Sequence, residues 1–440
     1  MAVIARRSPY DREILRLGLP ALGALAAEPL YILVDTAIVG HLGTPQLGGL
    51  AVAGTILTTA FSLFNFLAYG TTAAVARRIG AGDRAEAAHQ GVQGVWLAIA
   101  IGVVLAVVGF LVAPLAVDAF GASAAVRPNA VTYLRISVFG APFVLVALAG
   151  AGYLRGLQDT ATTLVIAVGS NVANLVLEVV LIYGLHRGIG ASALATVVAQ
   201  VGGAAVYLGL ILRNVRRGGV SAKPDRRRLR ALIVVARDLF IRTASLLLAL
   251  ALATAVAARL GEVPLGAHQI AFQLWSFLAL VLDAVAIAGQ AMIGRFLGAA
   301  DEGAARAAAG RMVEWGVASG IALGVVVVVL RAVVLPVFTS DAAVVVAARP
   351  VLLVVALLQP LNGVVFVLDG VLIGAGDLRY LAKGMVVSGA VFAGAALAVL
   401  HWHLSLVALW GALALLMAVR LAFNGARFVA DEWLVVGAER

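Results

Sequence analysis

Apolar runs long enough to cross a membrane recur along the whole chain of 440 residues. About 18 consecutive apolar residues span ~30 Å of hydrocarbon as a helix. Lipid offers the backbone no hydrogen-bond partner, so a spanning segment must be a helix or a strand of a closed barrel. Runs such as 92–112 and 320–334 lack the alternation of a barrel strand. The sequence therefore predicts an all-α membrane protein.

We expect about twelve transmembrane helices, because apolar runs of this length alternate with short polar loops. The predicted spans are residues 14–39, 47–75, 91–117, 131–154, 160–185, 189–213, 232–260, 264–297, 310–335, 345–373, 380–401 and 404–428.

The net charge of +10 comes from Lys and Arg in alternate loops. They concentrate in an N-terminal arm that includes Arg6 and Arg7, in the loop around 77–84 and in the linker 214–231. By the positive-inside rule these segments and both termini are cytoplasmic, in a multi-pass protein of the cytoplasmic membrane. We interpret the linker as an orientation signal that touches anionic lipid, and we expect no nucleic acid partner.

The chain matches itself when it is shifted by 218 residues. The matches are Leu42-Gly43 with Leu260-Gly261; Arg77, Gly80 and Asp83 with Arg295, Gly298 and Asp301; Pro142 with Pro360; and Gly152, Gly156 and Asp159 with Gly370, Gly374 and Asp377. An even number of spans in each half makes the repeats parallel. We therefore predict two parallel six-helix bundles around a central cavity, with an N-terminal bundle over 1–213, the basic linker over 214–231 and a C-terminal bundle over 232–440.

Polar side chains gather at one predicted depth in the outer part of the N-terminal bundle. Asp35, Glu178 and Thr196 lie about 5–7 residues from the outer ends of their spans, which is ~7–10 Å below the surface. Asn174 shares a helix face with Glu178. Two carboxylates, an amide and a hydroxyl can hold a proton between them or bind a small hard cation such as Na⁺.

The internal repeat argues that this cluster is functional. At the 218 offset, the four positions carry apolar residues, namely Ala253, Phe392, Ala396 and Ala414. A requirement of the scaffold should appear in both halves, and this cluster appears in one. We favour a coupling-ion site, with a structural hydrogen-bond network as the alternative.

Other intramembrane polar residues are weaker candidates for substrate contacts or gating. They are Tyr31, Asn65, Asn171, Gln200, Arg242 and Asp283. Arg242 and Asp283 could instead form a mutual ion pair. We expect Asp369 to be peripheral, close to the end of its span.

The sequence lacks the side chains of most enzyme sites. It has no cysteine and six histidines, without the spacing of paired metal ligands. We therefore expect no enzymatic activity, no cofactor and no resident metal, apart from Na⁺ at Asp35, Asn174, Glu178 and Thr196.

Three segments resemble the multidrug and toxic compound extrusion (MATE) transporters, and within them the DinF-like branch. They are Asp35-Thr36-Ala37-Ile38-Val39-Gly40-His41-Leu42-Gly43-Thr44, Ala267-His268-Gln269-Ile270 and Leu368-Asp369-Gly370-Val371-Leu372-Ile373-Gly374-Ala375. The resemblance implies export of small organic, often cationic or amphipathic, compounds driven by H⁺ or Na⁺. It matches the family's functional residues to Asp35, Asn174, Glu178 and Thr196, whereas the span-10 acid of another branch corresponds to Asn362. We expect a monomer.

Other functions remain open at this point. A lipid-linked glycan flippase of the same superfamily would suit a more basic cavity than these spans provide. An intramembrane enzyme would need a nucleophile and base pair that the sequence lacks. A channel is the third alternative, and flux measurements distinguish it from a carrier.

Overall fold

The computed structural model describes residues 8–185 and 187–438, and all regular elements in these ranges are helices. Arg6 and Arg7 of the predicted basic arm lie outside the described residues. The helices are α1 (Pro9–Gly40), α2 (Thr44–Ser62), α3 (Phe66–Gly80), α4 (Arg84–Ala119), α5 (Arg127–Ser137), α6 (Ala141–Gly156), α7 (Thr160–Val179), α8 (Ile189–Gly218), α9 (Arg226–Leu260), α10 (Glu262–Gly298), α11 (Glu302–Phe338), α12 (Ala342–Gly374), α13 (Leu378–His401) and α14 (Leu406–Val429).

The described chain contains twelve segments that are long and apolar enough to cross a membrane. This confirms the predicted all-α membrane fold and the number of spans. Several helices extend further than the apolar runs, because polar residues continue the helix at their ends. In α4 the helix begins at Arg84 rather than 91, and the Asp83 carboxylate caps it by accepting from the Glu86 amide at 2.9 Å.

The second span is interrupted, which the apolar pattern did not predict. A turn at Leu63–Asn65 separates α2 from α3. The Phe64 amide donates to the Phe61 carbonyl at 2.9 Å and the Asn65 amide to the Ser62 carbonyl at 3.3 Å. These shorter-range bonds satisfy the amides of the turn, so the break is tolerated within a membrane span.

The chain divides into two compact units. Gly23–Ala236 forms the N-terminal unit, and the described residues up to Leu22 together with those from Arg237 onward form the C-terminal unit. This division differs from the predicted boundaries at the start of α1, where Asp11 accepts hydrogen bonds from Arg311 of α11 at 2.6 and 2.9 Å. Partly buried acid–base contacts therefore hold the first turns of α1 to the C-terminal unit.

Helix contacts repeat at the same 218-residue offset as the sequence. A Cβ atom on Gly152 would overlap the carbonyl of Ala68, and one on Gly370 would overlap the carbonyl of Ala286. Further along the same helices, a Cβ on Gly156 would lie 3.0 Å from the Thr72 carbonyl oxygen, and one on Gly374 would lie 2.6 Å from that of Gln290. In each comparison the glycine and the residue it contacts are both shifted by 218 residues. The repeat is therefore visible in helix packing as well as in sequence.

Two tight turns also repeat in backbone geometry but not in residue type. Gly82 has a φ of 78° and its counterpart Ala300 a φ of 59°, while Gln158 has a φ of 63° and its counterpart Gly376 a φ of 73°. This left-handed region favours glycine, and a residue with a Cβ costs about 1 kcal/mol or more there. Ala300 and Gln158 therefore hold a conformation that the surrounding helices impose.

We expect Gly370→Ala to lower the thermal stability of the purified protein in detergent. The added methyl overlaps backbone rather than a flexible side chain, so α10 and α12 must separate, and overpacking of this kind costs about 1–3 kcal/mol. Gly394→Ala is the matched control, because nothing lies within 4 Å of its Cβ position. The measurement is the apparent melting temperature by size-exclusion chromatography after heating, and equal values for both variants would contradict this packing.

Candidate functional site

The carboxyl groups of Asp35 on α1 and Glu178 on α7 lie within hydrogen-bonding reach of each other. Both side chains are buried, with Asp35 4% and Glu178 0% exposed. Throughout residues 8–185 and 187–438, no Lys or Arg lies within ion-pair distance of either carboxylate. The structure thus brings the two predicted acids into one buried pair with no basic partner.

Ser192 of α8 joins this pair, and sequence reasoning missed it. Its Oγ donates to Oδ1 of Asp35 at 3.3 Å, and the hydroxyl also lies next to Glu178 and to the phenol of Tyr133. A hydroxyl has one proton to donate, and this geometry directs it to Asp35. Ser192 precedes Thr196 by one helical turn, so helical spacing gave a signal that would have found it.

Asn174 forms a second hydrogen-bonded group with two hydroxyls. Its Nδ2 donates to the Tyr31 hydroxyl at 2.8 Å and to Oγ1 of Thr196 at 3.2 Å, and these two hydroxyl oxygens are 3.3 Å apart. The predicted residues Asp35, Asn174, Glu178 and Thr196 therefore lie in one cluster together with Tyr31.

Acceptors exceed donors in this cluster. As an ionised group Glu178 receives no hydrogen bond at either oxygen from the described residues, and Oδ1 of Asn174 receives none either. Buried acceptors of this kind normally have a partner. A proton on the carboxyl pair, or a small cation among these oxygens, would supply the missing positive charge.

The corresponding place in the C-terminal unit is filled by apolar side chains. Ala253, Phe392 and Ala396 are fully buried there and belong to one hydrophobic core. The position equivalent to Ser192 carries Trp410, which is 1% exposed in the same core. The scaffold is therefore shared between the halves, and the polar cluster is not.

Four other candidates lie outside the cluster. Asn171 donates from Nδ2 to the Ala27 carbonyl of α1 at 3.0 Å, which makes it a link between helices. Gln200 is packed against Gly140, where a Cβ would overlap its Oε1. Asn65 lies in the turn between α2 and α3, and Asp283 lies on α10 of the C-terminal unit.

The prediction that Asp369 is peripheral is wrong. Asp369 is 5% exposed, and its Oδ2 accepts from Nη2 of Arg242 and from Nη2 of Arg420, each at 2.5 Å. Its Oδ1 accepts from Nδ2 of Asn424 at 2.7 Å. Arg242, another of the weaker candidates, thus forms an ion pair with Asp369 within the C-terminal unit. This network joins α9, α12 and α14.

In the described part of the chain, no group of three or more His, Asp or Glu is arranged to hold a metal ion. The oxygens around Asp35 come from two carboxylates, one amide and several hydroxyls, a set suited to a proton or to a hard monovalent cation.

We expect Asp369→Asn to destabilise the protein more than Asp35→Asn. The first substitution leaves Arg242 and Arg420 buried without their carboxylate, a loss that typically costs about 3–5 kcal/mol. The second removes a buried charge that has no basic partner. Apparent melting temperatures of the two variants in detergent give the comparison, and a larger loss for Asp35→Asn would refute the structural role of Asp369.

The sequence and fold match known transporters. The family model MatE matches residues 20–180 and 239–400. The chain is 33% identical to Protein DETOXIFICATION 44, chloroplastic, of Arabidopsis thaliana over 96% of its own length and 81% of that protein. It is 31% identical to DNA damage-inducible protein F of Escherichia coli over 93% of its length and 90% of that protein.

Solved structures share the fold at lower identity. A MOP superfamily transporter from Pyrococcus furiosus superposes with a TM-score of 0.85 at 20% identity, covering 97% of both chains. The outward-facing conformation of a multidrug resistance MATE family transporter superposes with a TM-score of 0.86 at 21% identity, covering 95% of this chain and 96% of that one.

Proposed function

The chain belongs to the MATE family of membrane transporters, and on that premise we propose that it is a secondary active antiporter. It exports small organic compounds, often cationic or amphipathic, across the cytoplasmic membrane in exchange for the entry of H⁺ or Na⁺. The family match and twelve apolar helices support a multi-pass transporter. The buried pair of Asp35 and Glu178 supports ion coupling.

The buried carboxyl pair carries this proposal. Two negative charges in contact cost several kcal/mol in a poorly hydrated pocket, so the resting pair holds a positive partner. A proton satisfies it by forming a hydrogen bond between the two carboxyls. Loss of that proton leaves two like charges that repel each other, and the pair must then separate or gain water.

Helix α1 is placed to convert this change into movement. Besides the contact with Ser192, α1 is tied to α7 and α8 through the Tyr31 hydroxyl and to α7 through the Ala27 carbonyl. The carbonyl of Ile38 also accepts from the hydroxyl of Tyr183, directly after α7, at 3.2 Å. Separation of Asp35 from Glu178 pulls on these bonds. Ion binding and release therefore favour two different positions of α1, which is the requirement for coupling to alternating access.

Na⁺ is the other candidate for the coupling ion. Carboxylate, amide and hydroxyl oxygens from Asp35, Glu178, Asn174 and Thr196 would form its ligand set. A single site that accepts either ion predicts competition between H⁺ and Na⁺, and transport under separate gradients distinguishes them.

We expect Asp35→Asn to abolish gradient-driven export while expression and membrane insertion remain normal. Asn occupies the same space as Asp but exchanges no proton. The measurement is efflux of a cationic dye from vesicles with an imposed pH or Na⁺ gradient, normalised to the amount of protein.

Asp118→Asn is the control for this experiment. Asp118 forms an exposed ion pair with Arg127, and neither residue belongs to the buried cluster. It should export like the parent. If Asp35→Asn also exports like the parent, the N-terminal coupling site is wrong and the Arg242 and Asp283 region becomes the leading candidate.

The orientation of the chain is a separate prediction. Both termini and the linker 214–231 should face the cytoplasm because of their basic residues. In intact cells, an impermeant thiol reagent should label Gly188→Cys and leave Ala222→Cys unlabelled until the membrane is opened. The reverse labelling pattern would invert the topology.

A further inference from the structure

The loop between α8 and α9 is bound along its length to the side of α4. Nε1 of Trp96 donates to the Ala222 carbonyl at 2.9 Å, and Nε2 of Gln93 donates to the Lys223 carbonyl at 3.0 Å. Oε1 of Gln93 accepts from the Asp225 amide at 2.8 Å. One glutamine side chain thus bonds to the loop backbone at two points.

Two further contacts extend this attachment towards the start of α4. Nδ1 of His89 lies 3.0 Å from the Ser221 carbonyl, and Glu86 forms an ion pair with Arg228. Residues 86, 89, 93 and 96 recur at helical spacing and share one face of α4. The loop therefore has a fixed path on the protein and does not behave as a free spacer.

Fixing the loop gathers basic side chains on the surface. The exposed ones are Arg213, Arg216, Arg217, Lys223, Arg226, Arg227 and Arg230. Nearby acids are already engaged, because Glu86 pairs with Arg228 and the Asp225 carboxylate accepts from the amide of Arg227 at 2.8 Å. The ion pairs described for this segment involve Arg228. We call residues 213–230 the basic strap.

This concentration of charge is unfavourable for the protein alone. The Asp225 carboxylate caps α9 by accepting from the amides of Arg227 and Arg228, but the first turn itself contains several basic residues, which the helix dipole disfavours at that end. Like charges on neighbouring turns add repulsion. An external anion offsets both effects.

The position of the strap identifies that anion. It connects two apolar spans, so its basic residues lie within about ten residues of hydrocarbon and at the level of the lipid headgroups. Trp96, which holds the loop, is 39% exposed and is a residue type enriched at the membrane interface. Anionic headgroups occupy this level already, whereas a soluble acidic partner would have to displace them.

We propose that the basic strap is a binding surface for anionic phospholipid headgroups of the adjoining leaflet. The hydrogen bonds from α4 hold its backbone in place, so several guanidinium groups face the headgroups without further ordering of the loop. Binding of phosphate groups by clustered Arg and Lys is strong because each phosphate oxygen accepts charge-assisted hydrogen bonds.

The test uses the full-length protein in phosphatidylcholine vesicles that contain a trace of spin-labelled phosphatidylglycerol or spin-labelled phosphatidylcholine. Electron paramagnetic resonance gives the fraction of each label held at the protein. We expect phosphatidylglycerol to be favoured about fivefold, and the preference to fall as KCl is raised.

Substitutions separate the strap from the rest of the surface. The triple variant Arg216→Gln, Arg217→Gln, Lys223→Gln should lose most of the preference. The triple variant Arg187→Gln, Arg259→Gln, Arg349→Gln neutralises three exposed residues elsewhere in the chain and should keep it. Gln93→Ala retains every strap charge but loosens the loop, and we expect a loss of about twofold. Gel-filtration profiles confirm that each variant is folded.

Three results would overturn the proposal. One is equal association of the two labels with the parent protein. Another is an equal loss of preference in both triple variants. The third is strap-dependent binding of a fluorescent RNA oligonucleotide to the reconstituted protein without enrichment of phosphatidylglycerol.

Discussion

Close contact between helix backbones is the condition on which this structure depends. In hydrocarbon, apolar side chains gain little by leaving lipid for protein, so helices associate through tight packing and a few hydrogen bonds. Here Gly152 and Gly370 allow one helix to touch the carbonyls of another. Helices fixed at this separation leave defined spaces between their side chains, and the polar cluster occupies one of those spaces.

The duplicated scaffold holds polar side chains in one half and apolar side chains at the equivalent place in the other half. In the N-terminal unit the space holds Asp35, Glu178 and Ser192, and neither carboxylate oxygen of Glu178 has a hydrogen-bond partner among the described residues. In the C-terminal unit Phe392 and Trp410 fill it and are satisfied by packing. The proposed ion coupling therefore belongs to one half, while the equivalent place in the other half is an apolar core.

Much of the fold and part of the site could be predicted because they depend on distances along the chain. Span length and the 218-residue repeat are such properties, and so is the common depth of Asp35, Glu178 and Thr196. The environment of Asp369 could not be predicted, because Arg420 and Asn424 are about fifty residues away and only helix packing brings them together. Tyr133 was missed for the same reason. The turn at Leu63–Asn65 was missed because its residues are as compatible with a helix as their neighbours.

The two left-handed turns carry information about how the halves have diverged. At the first turn Gly82 suits its φ and its counterpart Ala300 does not, whereas at the second turn Gly376 suits its φ and Gln158 does not. Each half thus retains one glycine that the other half lacks. Taking from each half the residue that fits the shared backbone best would place glycine at both turns, and that choice comes from a different half at each turn.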